Sequence, residues 1–269
     1  MNRSFSHILL RLAFVALACI SAARAEQSPV DVWETQLRPH YFPDQKIADG
    51  AGIIELKTPY RAEDAAFTPV SITAKIPQTE SRYIETLYLI IDQNPEPLAG
   101  IFHLTPAMGH ADLALRIRVN SYTNVRAIAV TNDGAHYMVA NFVKAQGGCS
   151  APLGADMQQA MDNMGKMQFK LLGEEQPDHS MIGQLMMSHP NITGMQKDQR
   201  TQLIAPAHYV KSVKITLDGV TVMTAETGIS ISQDPSFRFF IRPRKGGELK
   251  AEMIDSKGRE WEHTFTVDG

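Results

Sequence analysis

Cys149 stands in the run Ala145-Gln146-Gly147-Gly148-Cys149-Ser150-Ala151-Pro152, and the sequence has one other cysteine, Cys19. Cys19 falls inside a segment built like an export signal. Arg3 and Arg11 supply positive charge, Leu12 to Ile20 is apolar, and Ala23-Arg24-Ala25 is a small-x-small cleavage pattern. The lipidation alternative is disfavoured because Ala16 occupies the place of the usual large aliphatic residue three positions before Cys19. Removal of residues 1–25 leaves a soluble mature chain that starts at Glu26, with a single thiol in an oxidising compartment, the periplasm. Such a thiol is buried and inert, cross-linked to another molecule, or kept reactive. Gly147 and Gly148 favour the last, because glycine leaves the backbone mobile and covers nothing around it. The expectation is an accessible thiol, with Gly147, Gly148 and Ser150 as its flanks.

Other chemistries find less support. A cysteine hydrolase or acyl transferase needs a histidine base oriented by a third group, and none of the nine histidines stands in such a context. Type 1 copper sites take a His and a Met from just after the Cys. Here the first downstream Met is Met157 and the first His is His179. Eight of the thirteen methionines lie between Met157 and Met195, together with His179 and His189. Thioethers and imidazole could hold Cu(I), with Met186, Met187 and His189 as the sharpest candidates. Adaptable packing at a domain interface is the plainer reading. No Gly-rich phosphate loop, Cys-x-x-Cys or His-Glu-x-x-His occurs, so no metal and no cofactor is expected. A net charge of −3 without a basic stripe argues against nucleic acid. No segment after the signal approaches the ~20 apolar residues of a membrane span.

Period-two alternation must position whatever Cys149 does. Val70, Ile72, Ala74 and Ile76 share one face, as do Leu113, Leu115, Ile117 and Val119, with Arg116 and Arg118 opposite. Ile84–Ile91, Ile101–Leu104, Val125–Thr131 and His136–Val143 complete a first set of strands, with a turn at Asn132-Asp133-Gly134. A second set runs through 167–172, 182–187, 210–217, 220–225, 237–241, 249–255 and 260–267, with turns at Asp218-Gly219 and Ser256-Lys257-Gly258. The pattern predicts an all-β chain of two antiparallel sandwiches in series, 26–149 and 167–269. The linker 150–166 carries a short helix with Met157, Met161 and Met164 on one face, Asp156 as N-cap and Gly165 as stop. Asp31–Leu37 is a second helical candidate.

Several segments then resemble a known family. Residues 65–149 resemble SoxY, the sulfur-substrate carrier of periplasmic thiosulfate oxidation. The resemblance runs through Tyr83-Ile84-Glu85-Thr86-Leu87-Tyr88-Leu89, Asn94-Pro95-Glu96-Pro97, Phe102-His103-Leu104-Thr105-Pro106-Ala107, Arg116-Ile117-Arg118 and Gly147-Gly148-Cys149. Residues 167–267 resemble its partner SoxZ through Ser188-His189-Pro190-Asn191-Ile192-Thr193-Gly194, Ile204-Ala205-Pro206-Ala207-His208-Tyr209 and Asp234-Pro235-Ser236-Phe237-Arg238-Phe239. The chain looks like the fused SoxYZ-like carriers associated with quinoprotein dehydrogenases. The resemblance implies immunoglobulin-like sandwiches that pack together, no catalytic activity, and covalent carriage of a thiosulfate-derived or related group on Cys149. It implies periplasmic partners: Sox-type enzymes, c-type cytochromes or a quinoprotein dehydrogenase. In SoxY the cysteine lies in Gly-Gly-Cys-Gly-Gly at a free C-terminus, whereas here Ser150-Ala151-Pro152 and a whole second half follow it. Two rivals stay open: a protein-interaction module with an incidental thiol, and a Met/His copper chaperone.

Overall fold

The computed structural model describes residues 31–153, 157–198 and 201–267. The export signal, Cys19 and the expected N-cap Asp156 therefore lie outside the described residues. The first half supplies β1 (Ile47–Asp49), β2 (Ile54–Lys57), β3 (Thr68–Ala74), β4 (Ile84–Ile91), β5 (Leu98–Leu104), β6 (Leu113–Ile117), β7 (Thr123–Thr131) and β8 (His136–Val143). The second supplies β9 (Met167–Leu172), β10 (Met181–Met187), β11 (Val210–Leu217), β12 (Val220–Thr227), β13 (Ser236–Ile241), β14 (Gly247–Asp255) and β15 (Glu260–Val267). The alternating segments all become strands, since period two places one apolar face against a facing sheet. At Asp218-Gly219 both residues take positive φ, 50° and 79°, the hairpin-turn geometry that matches strand twist.

The two immunoglobulin-like sandwiches do more than follow each other. One sheet has nine strands in the order β1-β8-β7-β4-β5-β12-β11-β14-β15, and the other has six, β2-β3-β6-β13-β10-β9. Each sheet crosses from one half to the other. In the larger, β5 pairs antiparallel with β12, from Leu104 opposite Met223 to Gly100 opposite Thr227. In the smaller, β6 meets β13 at Ala114–Arg238 and Leu113–Phe239. Pairing these strands removes four sheet edges whose N–H and C=O groups would otherwise lie open. One apolar core runs through both halves, and across the seam Phe102 meets Phe237 edge-on with ring centroids 5.8 Å apart.

The N-terminal helical candidate forms as a wide turn over Trp33–Leu37 followed by Arg38–Tyr41. Trp33, Leu37 and Phe42 cover Ile90 and Ile128 on the outer face of the nine-stranded sheet. The linker helix spans Met157–Asp162, and Gly165 stops it with a φ of +87°. An alanine Cβ at Gly165 would also run into the Trp261 ring.

Candidate functional site

The expected accessible thiol is overturned: Cys149 is 0% exposed. The two glycines that promised mobility instead allow close packing. Gly147 takes a φ of +79° and donates its N–H to the Asn120 carbonyl at 2.9 Å. Gly148 donates to the Val119 carbonyl at 3.0 Å, and a Cβ there would collide with the Ala65 carbonyl and sit 2.7 Å from the Val119 oxygen. A turn closes the loop, with Ser150 N–H donating to the Gly147 carbonyl at 3.2 Å. Of the expected flanks, Gly148 is buried, Gly147 is half-buried and Ser150 alone is exposed.

Beneath this loop lies Arg118, 1% exposed. Alternation along β6 explains its place: Leu113, Leu115 and Ile117 enter the core, so Arg116 and Arg118 stand on the outer face. Arg116 lines a groove of about 980 Å³ on that face. Arg118, about 7 Å further along the strand direction, is covered by the loop. Its Nη1 donates to the Gly148 carbonyl at 3.2 Å and its Nη2 to the Asn191 carbonyl at 3.4 Å. Buried Asn94 fixes the backbone here. Its Nδ2 donates to the Arg118 carbonyl at 2.8 Å and to Ser230 Oγ at 2.9 Å, and its Oδ1 accepts from Asn120 N–H at 2.8 Å.

A strap from the second half closes the top. Thr193 Oγ1 donates to the Cys149 carbonyl at 2.6 Å, and Gln196 Nε2 donates to the Ala151 carbonyl at 2.9 Å. Thr193 N–H in turn donates to Gln196 Oε1 at 3.0 Å, so the two strap residues brace each other. Burial pushes the Cys149 thiol up to about 11, with the Arg118 charge opposing the rise and Glu96 adding to it. At neutral pH the closed loop therefore holds a thiol, with a thiolate fraction of roughly one in ten thousand. Nucleophilic chemistry at this sulfur requires the loop to open.

Two family models match the chain. That of sulfur oxidation protein SoxY covers residues 38–149, and that of sulphur oxidation protein SoxZ covers 170–266. The chain belongs to the fused SoxYZ-like carrier family. The SoxY match ends on Cys149 itself. Among solved structures, the sulfur carrier protein SoxY from Chlorobium limicola f thiosulfatophilum is similar, at 24% identity over 40% of this chain and 88% of that one, with a TM-score of 0.34. A superoxide reductase (neelaredoxin) from Ignicoccus hospitalis, the E23A variant, matches at 14% identity over 35% of this chain and 82% of its own, TM-score 0.32. A β-glycosidase from Bacteroides vulgatus matches at 9% identity over 80% of this chain and 24% of its own, TM-score 0.25. No curated protein matches the chain.

In SoxYZ terms, the SoxY half supplies the cysteine loop and Arg118, while the SoxZ half supplies Thr193 and Gln196. The copper candidates do not converge. Met186 and Met187 are successive residues of β10 and point to opposite faces, Met187 into the core and Met186 toward the groove. A different trio does gather: His189, His208 and Asp255 are buried with ligand atoms within 4.8 Å of one another. Its hydrogen bonds argue against a metal. His189 Nδ1 accepts the Asn191 N–H at 3.1 Å, so the neutral ring carries its proton on Nε2, which faces Asp255 at 3.8 Å. A cation on Nε2 would need an imidazolate. His208 Nε2 binds Asp255 Oδ2 at 2.6 Å, and Asp255 Oδ1 caps the turn by accepting from Lys257 and Arg259 N–H. Burial, with the neighbouring His208, lowers the His189 pKa to about 4, which keeps the ring neutral. We read the trio as a clasp that sets the segment 189–196 from which the strap extends. Sequence reasoning did not single out Thr193, Gln196 or Arg118 as site residues. Arg118 was visible only through its alternation with Ile117 and its place in the SoxY-like segment Arg116-Ile117-Arg118, and Thr193 only as part of the SoxZ-like segment 188–194.

Proposed function

We propose that the chain is an exported, periplasmic, non-catalytic carrier that holds a thiosulfate-derived or related sulfur group as a covalent adduct of Cys149 and presents it to partner oxidoreductases. The observation that carries the reading is the coincidence of three things at one residue: the chain's sole thiol beyond the signal segment, the end of the SoxY match, and a loop whose bonds all go to carbonyls or backbone. The closed loop is the resting state. Opening it releases Thr193 and Gln196, frees the thiol from its buried setting, and lets it ionise near the ordinary range of about 8.5. The sequence pattern of an export signal, ending in Ala23-Arg24-Ala25, supports export. Sox-type enzymes, c-type cytochromes or a quinoprotein dehydrogenase are the partners that the family suggests, and the groove beside the loop offers them Lys57, Arg116, Lys166 and Arg238.

The test is peptide mass spectrometry of the protein isolated from its own compartment, before and after reduction. A reducible mass increment on the Cys149 peptide supports the carrier. A bare thiol in protein taken from cells oxidising reduced sulfur overturns it. Burial of the thiol favours one second reading, an interaction module in which Cys149 is merely a packed small side chain. That reading predicts full activity of Cys149→Ser, where the carrier predicts complete loss.

A further inference from the structure

One group at the site has no employment in the closed loop. Arg118 Nε is buried without a hydrogen-bond partner, while Nη1 and Nη2 reach only backbone carbonyls. No carboxylate forms an ion pair with this guanidinium among the described residues; burial weighs against its charge, the Cys149 beside it is a neutral thiol in the closed loop, and Asp64 acts on it without pairing. A buried cation without a paired counterion is costly to hold. It therefore calls for an anion that arrives in another state of the protein.

We infer that Arg118 is the receptor for a negatively charged adduct on Cys149, with the terminal sulfonate of an S-thiosulfonate taking the hydrogen bond that Nε lacks. The inference rests on Cys149 being the attachment point. It adds the residue that receives the charged end of that cargo, Arg118. The planar guanidinium suits the geometry of sulfonate oxygens, and charge-assisted bonds are about twice as strong as neutral ones. An adduct needs volume that the strap now occupies. Loading therefore exchanges the Thr193 and Gln196 bonds for contacts at Arg118, and the loaded loop is held in its turn.

Tetrathionate is a suitable probe. The Cys149 thiolate attacks a central sulfur of the dianion, the central S–S bond breaks, and thiosulfate leaves with the electron pair. The product is the Cys149 thiosulfonate, with atoms and charge conserved. Hydroxyethyl disulfide serves as the neutral comparison, leaving mercaptoethanol and a hydroxyethyl adduct. Intact mass gives the exchange constant for each reagent at a fixed ratio of reagent to leaving thiol. For Arg118→Met the anionic-to-neutral ratio of these constants is expected to fall by about tenfold or more, and for Arg118→Lys to stay within about threefold of the native value. A purely structural arginine would shift both constants together, so an unchanged ratio in Arg118→Met overturns the assignment while leaving attachment at Cys149 intact. Failure of both reagents to load native Cys149 overturns attachment as well. If Arg118→Met does not fold, hydrogen exchange on the native chain decides. Amides 147–151 are expected to exchange more slowly in the thiosulfonate adduct than in the hydroxyethyl adduct, and equal rates reject the receptor.

Discussion

Two arginines are buried in the SoxY half, and they are buried differently. Arg126 is held by Asp92, with Nε 2.8 Å from Oδ1 and Nη2 2.8 Å from Oδ2, and its guanidinium lies 4.7 Å from the centre of the Trp33 ring. Arg118, one loop earlier, is still more buried and hydrogen-bonds only to carbonyls, with Asp64 acting on it but forming no ion pair. Arg126 is a neutralised strut that pins the N-terminal turn to β7. Arg118 is a positive charge held in reserve under the cysteine. Burial alone therefore says little about an ionised group; the partner says what it is for.

The contrast can be broken most sharply at Asp92. Asp92→Ala leaves Arg126 buried without its counterion, and a loss of about 3–5 kcal/mol is expected in a urea unfolding series. A loss below about 1 kcal/mol would erase the difference between the two arginines. Next in size is the response to alkali. The folded Cys149 thiol has its pKa raised from 9.0 to about 11. The unfolded chain then releases its proton first, so stability is full below pH 9 and falls as pH rises toward 11. The two-unit shift corresponds to about 2–3 kcal/mol at the upper end, and Cys149→Ala should abolish this slope. Arg118→Met removes an uncompensated charge together with two bonds to carbonyls. We expect a change of about 1–2 kcal/mol or less, well below that of Asp92→Ala. Equal losses would make Arg118 a strut as well. The smallest effect is at the strap. Thr193→Val deletes the hydrogen bond to the Cys149 carbonyl, worth about 1 kcal/mol, along with the one that Thr193 Oγ1 accepts from Met195 N–H, and should speed labelling of Cys149 by a neutral thiol reagent at least about fivefold at pH 7.5. An unchanged rate would mean that the loop opens by another route.

Much of this molecule was written locally. The strands follow from alternation such as Val70, Ile72 and Leu113, Leu115, Ile117, because period two leaves a single buried face. The short strands β1 and β2 escaped notice: Ile47–Asp49 buries almost nothing, and Ile54–Lys57 has too few residues to show a period. Cys149 could be singled out by counting cysteines and noting its place after the last strand of the first half. Its burial could not. The loop is covered by Ala65, Val119 and Thr193, residues 44 or more positions away in one direction and 30 or more in the other.

The sequence by itself determined which residues of each strand share a face and the identity of the thiol, since each is read from the residues themselves and their near neighbours. The tertiary structure decided the rest. It merged both sheets across the seam, because unpaired edges of one half found partners only in the other. It also turned a glycine-flanked loop into a closed one, because the absence of a Cβ at Gly148 frees the chain and equally permits two carbonyls to approach it. Which of these happens depends on what the rest of the fold brings within reach.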